Sequence, residues 1–152
     1  MPADEEEWTD AAISALPAWT LVQAYHGVAR RFLAVFSDAN LGPTQFGVLA
    51  CLAANPHLGQ GELARRTLVS PQAIGELMAS LEERGLVERT ANPGRGRSRL
   101  ARLTEGGRRA LRQITPAIHQ INAPDSLGLT ASEAVELNRL LHLVRRSVAR
   151  DR

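Results

Sequence analysis

Between Gly61 and Thr104 two short helix-like patterns, a turn, and an arginine-studded loop flanked by two strand-like runs follow one another without a break. That order leaves few folds open. Gly59 to Thr67 reads as a short helix carrying Leu63 and Ala64, and Leu68-Val69 as a turn. Ser70-Pro71 then sets a helix N-cap before a proline at the first helical position, where its missing N–H is harmless. From Pro71 to Arg84, Ile74, Leu77, Met78 and Leu81 recur at spacings of three and four, so they form one buried stripe. Gly85 suits the left-handed residue that closes such a helix. Leu86–Thr90 and Ser98–Leu103 read as strands, joined by Ala91 to Arg97 with Pro93, Gly94 and Gly96 as turn formers. Two helices and then a hairpin make a helix-turn-helix with a wing.

The flanks read as long helices. Leu16, Trp19, Val22, Tyr25, Val28, Phe32, Leu33 and Phe36 line one face of a helix from Pro17 to Ser37. Thr44 to Ala54 is a short apolar helix that Asn55-Pro56 ends. Thr104 caps a helix carrying Leu111, Ile114, Ile118 and Ile121, with a bend expected at Pro116. A loop covers Ala123 to Gly128. Thr130 and Glu133 then form a capping box ahead of a last helix carrying Val135, Leu137, Leu140, Leu141, Val144 and Val148. The expected class is mainly α: a winged helix-turn-helix over 44–103 between outer helices at 13–37 and 104–150. Residues 13–152 form one domain, preceded by a flexible acidic arm at 1–12. A small winged helix does not need both outer helices to complete its core. Their apolar faces are read as dimerisation surfaces covered by a second copy, against the alternative of packing on their own subunit.

Charge sharpens this. The net charge is only +2, yet Arg84 to Arg112 holds nine arginines against Glu88 and Glu105, and the first ten residues hold five acids and no base. Such asymmetry suits a polyanionic partner. All 18 basic residues are arginine, which fits a GC-rich coding sequence and also supplies forked donors for phosphate and guanine. The acidic arm is either a solubilising tail or a cover that folds over the wing.

With one cysteine, Cys51 among apolar neighbours, a disulfide framework within the chain is excluded, and the thiol reads as buried and inert. The expected location is cytoplasmic, since no apolar run is long enough for a membrane span and the acidic start is unlike a signal peptide. His26, His57, His119 and His142 lack metal-ligand spacing, and no nucleophile elbow, zinc-protease or phosphate-loop motif is present. The expectation is a non-enzyme without metal or cofactor.

The runs Thr44-Gln45-Phe46-Gly47-Val48-Leu49, Gly61-Glu62-Leu63-Ala64, Gln72-Ala73-Ile74-Gly75-Glu76-Leu77, Leu81-Glu82-Glu83-Arg84-Gly85-Leu86-Val87 and Leu103-Thr104-Glu105-Gly106-Gly107 together resemble the MarR family of bacterial transcription regulators. No single run is specific; their order is. The resemblance implies a homodimer, a winged helix-turn-helix in each subunit, a pseudo-palindromic duplex operator, and usually repression. It also implies release by a small phenolic or anionic effector, or by cysteine oxidation. Peroxide sensors of the family carry a reactive cysteine near the first helix, which this chain lacks.

The residues then take expected roles. The helix at Ser70 would enter the major groove, with Ser70, Pro71, Gln72, Ala73 and Glu76 at its leading end. Gln72 suits adenine and Ala73 a thymine methyl; Glu76 either accepts from cytosine N4 or pairs locally. Ser70 also has a purely capping role open to it. Arg95, Arg97 and Arg99 alternate with small residues and suit a narrow minor groove. By position, Arg97 matches the family's wing arginine, while Arg95 stands where an aspartate is usual. Arg65 and Arg66 either flank phosphates or form a solvated face. Trp19, Tyr25, His26 and Arg30 are the effector-binding candidates, with packing or plain surface as the alternative. A winged helix that contacts another protein, with incidental arginines, is the competing reading of the whole.

Overall fold

The computed structural model describes residues 8–91 and 99–149, with the side chains of Ala91 and Arg99 left out. Helices α1 (Asp10–Ser14), α2 (Pro17–Asp38) and α3 (Pro43–Ala54) lead to strand β1 (Leu58–Gly59). Helices α4 (Gln60–Thr67) and α5 (Pro71–Glu83) precede strands β2 (Val87–Ala91) and β3 (Arg99–Leu103). Helix α6 (Glu105–Asn122), a 3-10 turn at Asp125–Leu127 and helix α7 (Ala131–Val148) complete the order.

The local signals act where the sequence puts them. Ser70 Oγ accepts from the Ala73 N–H at 3.1 Å, and Gly85 takes φ +68° just past α5. Thr130 and Glu133 cap each other's backbone at the start of α7. Helix α6 runs through Pro116 as one element. Two features differ from the sequence reading. Within the expected arm at 1–12, Thr9 caps α1 from Asp10, so its last residues are helical; residues 1–7 lie outside the described residues. A third strand, β1, joins the hairpin, so β3 is central in the order β1-β3-β2, all antiparallel. The turn between α4 and α5 holds Leu68 in the left-handed region at φ +58°, a conformation that costs a leucine roughly 1–2 kcal/mol.

The core lies entirely in the winged-helix lobe and the ends of the helices that meet it. Val48, Leu49, Leu52, Leu63, Ile74, Met78 and Leu81 pack with Val87 and Leu103, and Phe36 and Ile114 reach in from α2 and α6. The expected stripe of α5 is buried at Ile74, Met78 and Leu81, with Leu77 partly covered. Cys51 is half-buried against this core. The outer helices behave differently. Only Phe36 of α2 is buried, and no residue of α7 is.

Two glycines explain how α6 reaches the lobe. Thr104 Oγ1 donates to the Gly85 carbonyl at 2.5 Å and accepts from the Gly107 N–H at 3.1 Å, while the Thr104 N–H donates to the Leu86 carbonyl at 3.2 Å. A Cβ on Gly107 would drive into the Leu86 carbonyl, and one on Gly106 would sit 2.9 Å from the Gly85 carbonyl. Backbone therefore lies on backbone here. The residues that follow α5 and the start of α6 are thereby tied together through Thr104.

Candidate nucleic-acid interface

Helix α5 shows one face to the core and the other to solvent. Pro71, Gln72, Ala73 and Glu76 are exposed on its outer side. The lone pair of Ser70 Oγ that faces the helix is occupied by Ala73 N–H, which leaves the hydroxyl proton free to donate. Gln72 Nε2 donates to Glu76 Oε1 at 3.4 Å, so the two polar side chains one turn apart form a unit. An amide and a carboxylate on an exposed helix face are groups that can read base edges in a major groove.

Arg65 and Arg66 end α4 beside this helix and converge on one carboxylate. Arg66 Nε donates to Glu62 Oε1 at 2.7 Å, and Arg65 Nε to Glu62 Oε2 at 3.1 Å. Arg66 first, and then Arg65, hold the Glu62 carboxyl below the usual carboxylate range. Glu62 offsets one of the two positive charges and fixes both side chains on the outer surface, with Arg65 77% exposed. Arg95 and Arg97 lie outside the described residues, as does the side chain of Arg99. The backbone of Arg99 pairs with Ala91 at the end of the β2–β3 ladder next to the 92–98 connection.

The basic stretch divides into two uses. Arg89 lies on the inner side of β2, with Nη2 at 2.5 Å from Glu82 of α5. Arg102 pairs across the hairpin with Glu88, at 2.5 Å. Arg112 Nη2 donates to Glu105 at 2.7 Å and pulls that carboxyl below its usual range. Arg84 hydrogen-bonds to Gln45 and Asn40. Counting charge along the sequence missed this, because the partners Glu82 and Gln45 lie outside the counted stretch. The strand alternation of β2 was the available signal for Arg89, since it shares the inner face with Val87.

Four effector candidates were named from sequence, and one of them lines an apolar recess. Tyr25 joins Phe32, Leu33, Phe36, Pro43 and Phe46 around a space of about 350 Å³ between α2 and α3. On the other side of Phe46, Ala50, Leu111, Thr115, Ile118 and His119 border a second space of about 410 Å³. Arg30 borders a wide open groove beside the 3-10 turn, where Arg31 Nη1 donates to the Ser126 carbonyl at 2.6 Å. Trp19 is 46% exposed and His26 is exposed, and neither lines these recesses, although the His26 ring lies 5.6 Å from that of Tyr25. Among the described residues there is no cluster of metal-ligating side chains, and no helix is long and apolar enough to cross a membrane.

A core-backed helix with a polar outer face, next to a hairpin, defines a winged helix-turn-helix of the kind that reads duplex DNA. A profile of the MarR family matches residues 39–98. The transcriptional repressor Rv2887 of Mycobacterium tuberculosis is 34% identical over 108 residues, 71% of this chain and 78% of the relative. The repressor NicR of Pseudomonas putida is 30% identical over 126 residues, 80% and 78% of the two chains. Among solved structures, a mutant of MarR from E. coli complexed with operator DNA superposes with a TM-score of 0.74 at 26% identity, covering 90% of this chain and 99% of the other. Rv2887 with salicylic acid gives 0.66 at 30% identity, covering 86% and 96%. The chain belongs to the MarR family of transcription regulators.

Proposed function

We propose that this chain is a homodimeric, effector-responsive repressor that binds a pseudo-palindromic duplex operator. One observation carries the reading: a well-packed lobe with an exposed reading helix sits beside two outer helices whose apolar faces the described residues leave uncovered. A two-fold pair of such chains covers those faces and presents two α5 helices to one face of the duplex, about one turn apart. Gln72, Ala73 and Glu76 read base edges, Ser70 and Pro71 set the helix end near the backbone, and Arg65 and Arg66 flank phosphates. Arg95, Arg97 and Arg99 reach the adjacent minor groove. The names of Rv2887 and NicR and the operator complex of E. coli MarR support this assignment.

The effector is a small phenolic or anionic compound held in the aromatic recess around Phe46. The space fits a single-ring molecule, and the salicylic acid complex of Rv2887 supports the chemistry. The protein acts in the cytoplasm, by binding and without turnover. Arg97→Ala tests the DNA-binding assignment. Fluorescence anisotropy against salt should show about 10-fold weaker operator binding, and a log–log slope shallower by about 2, one lost phosphate contact for each copy. An unchanged affinity and slope would remove the wing from the interface. Weak, salt-insensitive binding by the wild type would favour a protein-contacting winged helix instead.

A further inference from the structure

We infer that Arg84 is a positioning residue that ties the end of the recognition helix α5 to the elbow between α2 and α3; this rests on the DNA-binding reading above. Arg84 is the C-cap of α5, and its guanidinium crosses to a distant part of the chain. Nη2 donates to the Asn40 carbonyl at 2.7 Å, and Nη1 to Gln45 Oε1 at 3.2 Å. Both acceptors belong to the elbow. Asn40 holds the left-handed bend that ends α2, at φ +50°. Gln45 Oε1 also accepts from the Gly42 N–H at 2.9 Å, which closes the first turn of α3. One planar fork therefore grips the elbow on both sides of its bend. A lysine, a compact point donor on a flexible stem, does not present that fork.

The same elbow walls the aromatic recess. Pro43 and Phe46 flank Gln45 and face Phe36, whose ring centroid is 5.5 Å from that of Phe46. Recess wall, elbow and helix end are thus contiguous. A molecule that separates Phe32 and Phe36 from Phe46 displaces the elbow, and Arg84 carries the displacement into α5. The reading residues Gln72 and Glu76 stand two and six residues into a 13-residue helix, so a small tilt at Arg84 acts over a lever of about 12–18 Å. The converse follows by linkage: a duplex that fixes Gln72 and Glu76 must stiffen the elbow.

Hydrogen exchange with mass spectrometry tests this on the full chain, with a duplex enriched from a randomised pool. In the wild type the duplex should slow exchange about 5-fold over residues 39–47, the weight of one net hydrogen bond, as well as over 70–76. Arg84→Lys and Arg84→Gln should lose the slowing at 39–47 yet retain it at 70–76, with thermal midpoints close to wild type. Gln45→Glu, which preserves both acceptors and adds charge, should keep it at both places. Equal slowing at 39–47 in Arg84→Lys, or a wild-type elbow indifferent to DNA while 70–76 responds, overturns the coupling alone. A pool that yields no enriched duplex overturns the DNA-binding reading and the coupling with it.

Discussion

The winged-helix lobe and the outer helices are built from the same residues at the same spacing, and they end in opposite environments. Leu63, Met78 and Leu81 are fully buried, whereas Tyr25 is 64% and Val135 73% exposed. The lobe buries its stripes within one chain because three helices and a sheet surround a common centre. Helix α2 extends past that centre and buries only Phe36, near the end that meets the lobe, and no residue of α7 is buried. An apolar stripe thus reports that a face is buried somewhere, and leaves open which molecule does the burying.

Breaking the outer helices should have the largest effect and should spare the lobe. Leu140→Glu with Val144→Glu places charge on two half-exposed positions of α7. The expected rise in the dimer dissociation constant is at least about 100-fold, since half-exposed side chains gain only part of the roughly 1.5–3 kcal/mol of full burial, on each copy. Sedimentation velocity should show monomers with nearly unchanged helix content. A persisting dimer would put the interface elsewhere.

Within the lobe, Gly107→Ala should cost about 2–4 kcal/mol in urea unfolding, because the new methyl meets the Leu86 carbonyl and the Leu103 side chain. Gly61→Ala, with nothing within 4 Å of the added carbon, should instead gain about 0.5 kcal/mol. Equal effects at the two sites would show that α6 is not seated on the lobe as described.

A smaller effect is expected at the turn. Leu68 is 77% exposed and held at φ +58°. Leu68→Gly should therefore leave stability within about 1 kcal/mol of wild type, on the stabilising side, while Leu68→Val should lose about 1 kcal/mol. Loss of stability in the glycine variant would mean that the leucine is held by contacts beyond its own chain.

The smallest effect is at the start of α7. The Thr130 backbone N–H, and then its hydroxyl, hold the Glu133 carboxyl below the value of 4.5 expected for an unperturbed glutamate. A lowered folded value means that this contribution is complete above about pH 4.5 and fades as the pH falls through the folded value. Helicity of Glu133→Gln, followed by circular dichroism from pH 6 to pH 3, should lack the component that the wild type loses in that window. Identical acid profiles would remove the capping box from the stability of α7.

Much of this was legible in the sequence because local chemistry set it. Ser70-Pro71, Gly85 and Thr130 with Glu133 act through bonds to their near neighbours, so their positions alone locate the helix ends. Strand β1 was not legible, since two residues are too few to show alternation and Leu58–Gly59 becomes a strand only by pairing with β3. The structural arginines were hidden for a related reason. Arg84 and Arg89 share a basic stretch with Arg95 and Arg97, but their partners Asn40, Gln45 and Glu82 come beside them only on folding. The recess between α2 and α3 was half legible: Tyr25 stands among the sequence candidates, while Phe36 and Phe46 stand in the sequence only as apolar positions of their helices.

Two lobes, joined through their outer helices, are expected to read one duplex. Sedimentation of the full chain with a duplex enriched from a random pool should show two chains per duplex, and the pool should yield an inverted repeat with half-site centres about 10 base pairs apart. One chain per duplex, or enrichment of a single unrepeated site, would contradict that expectation.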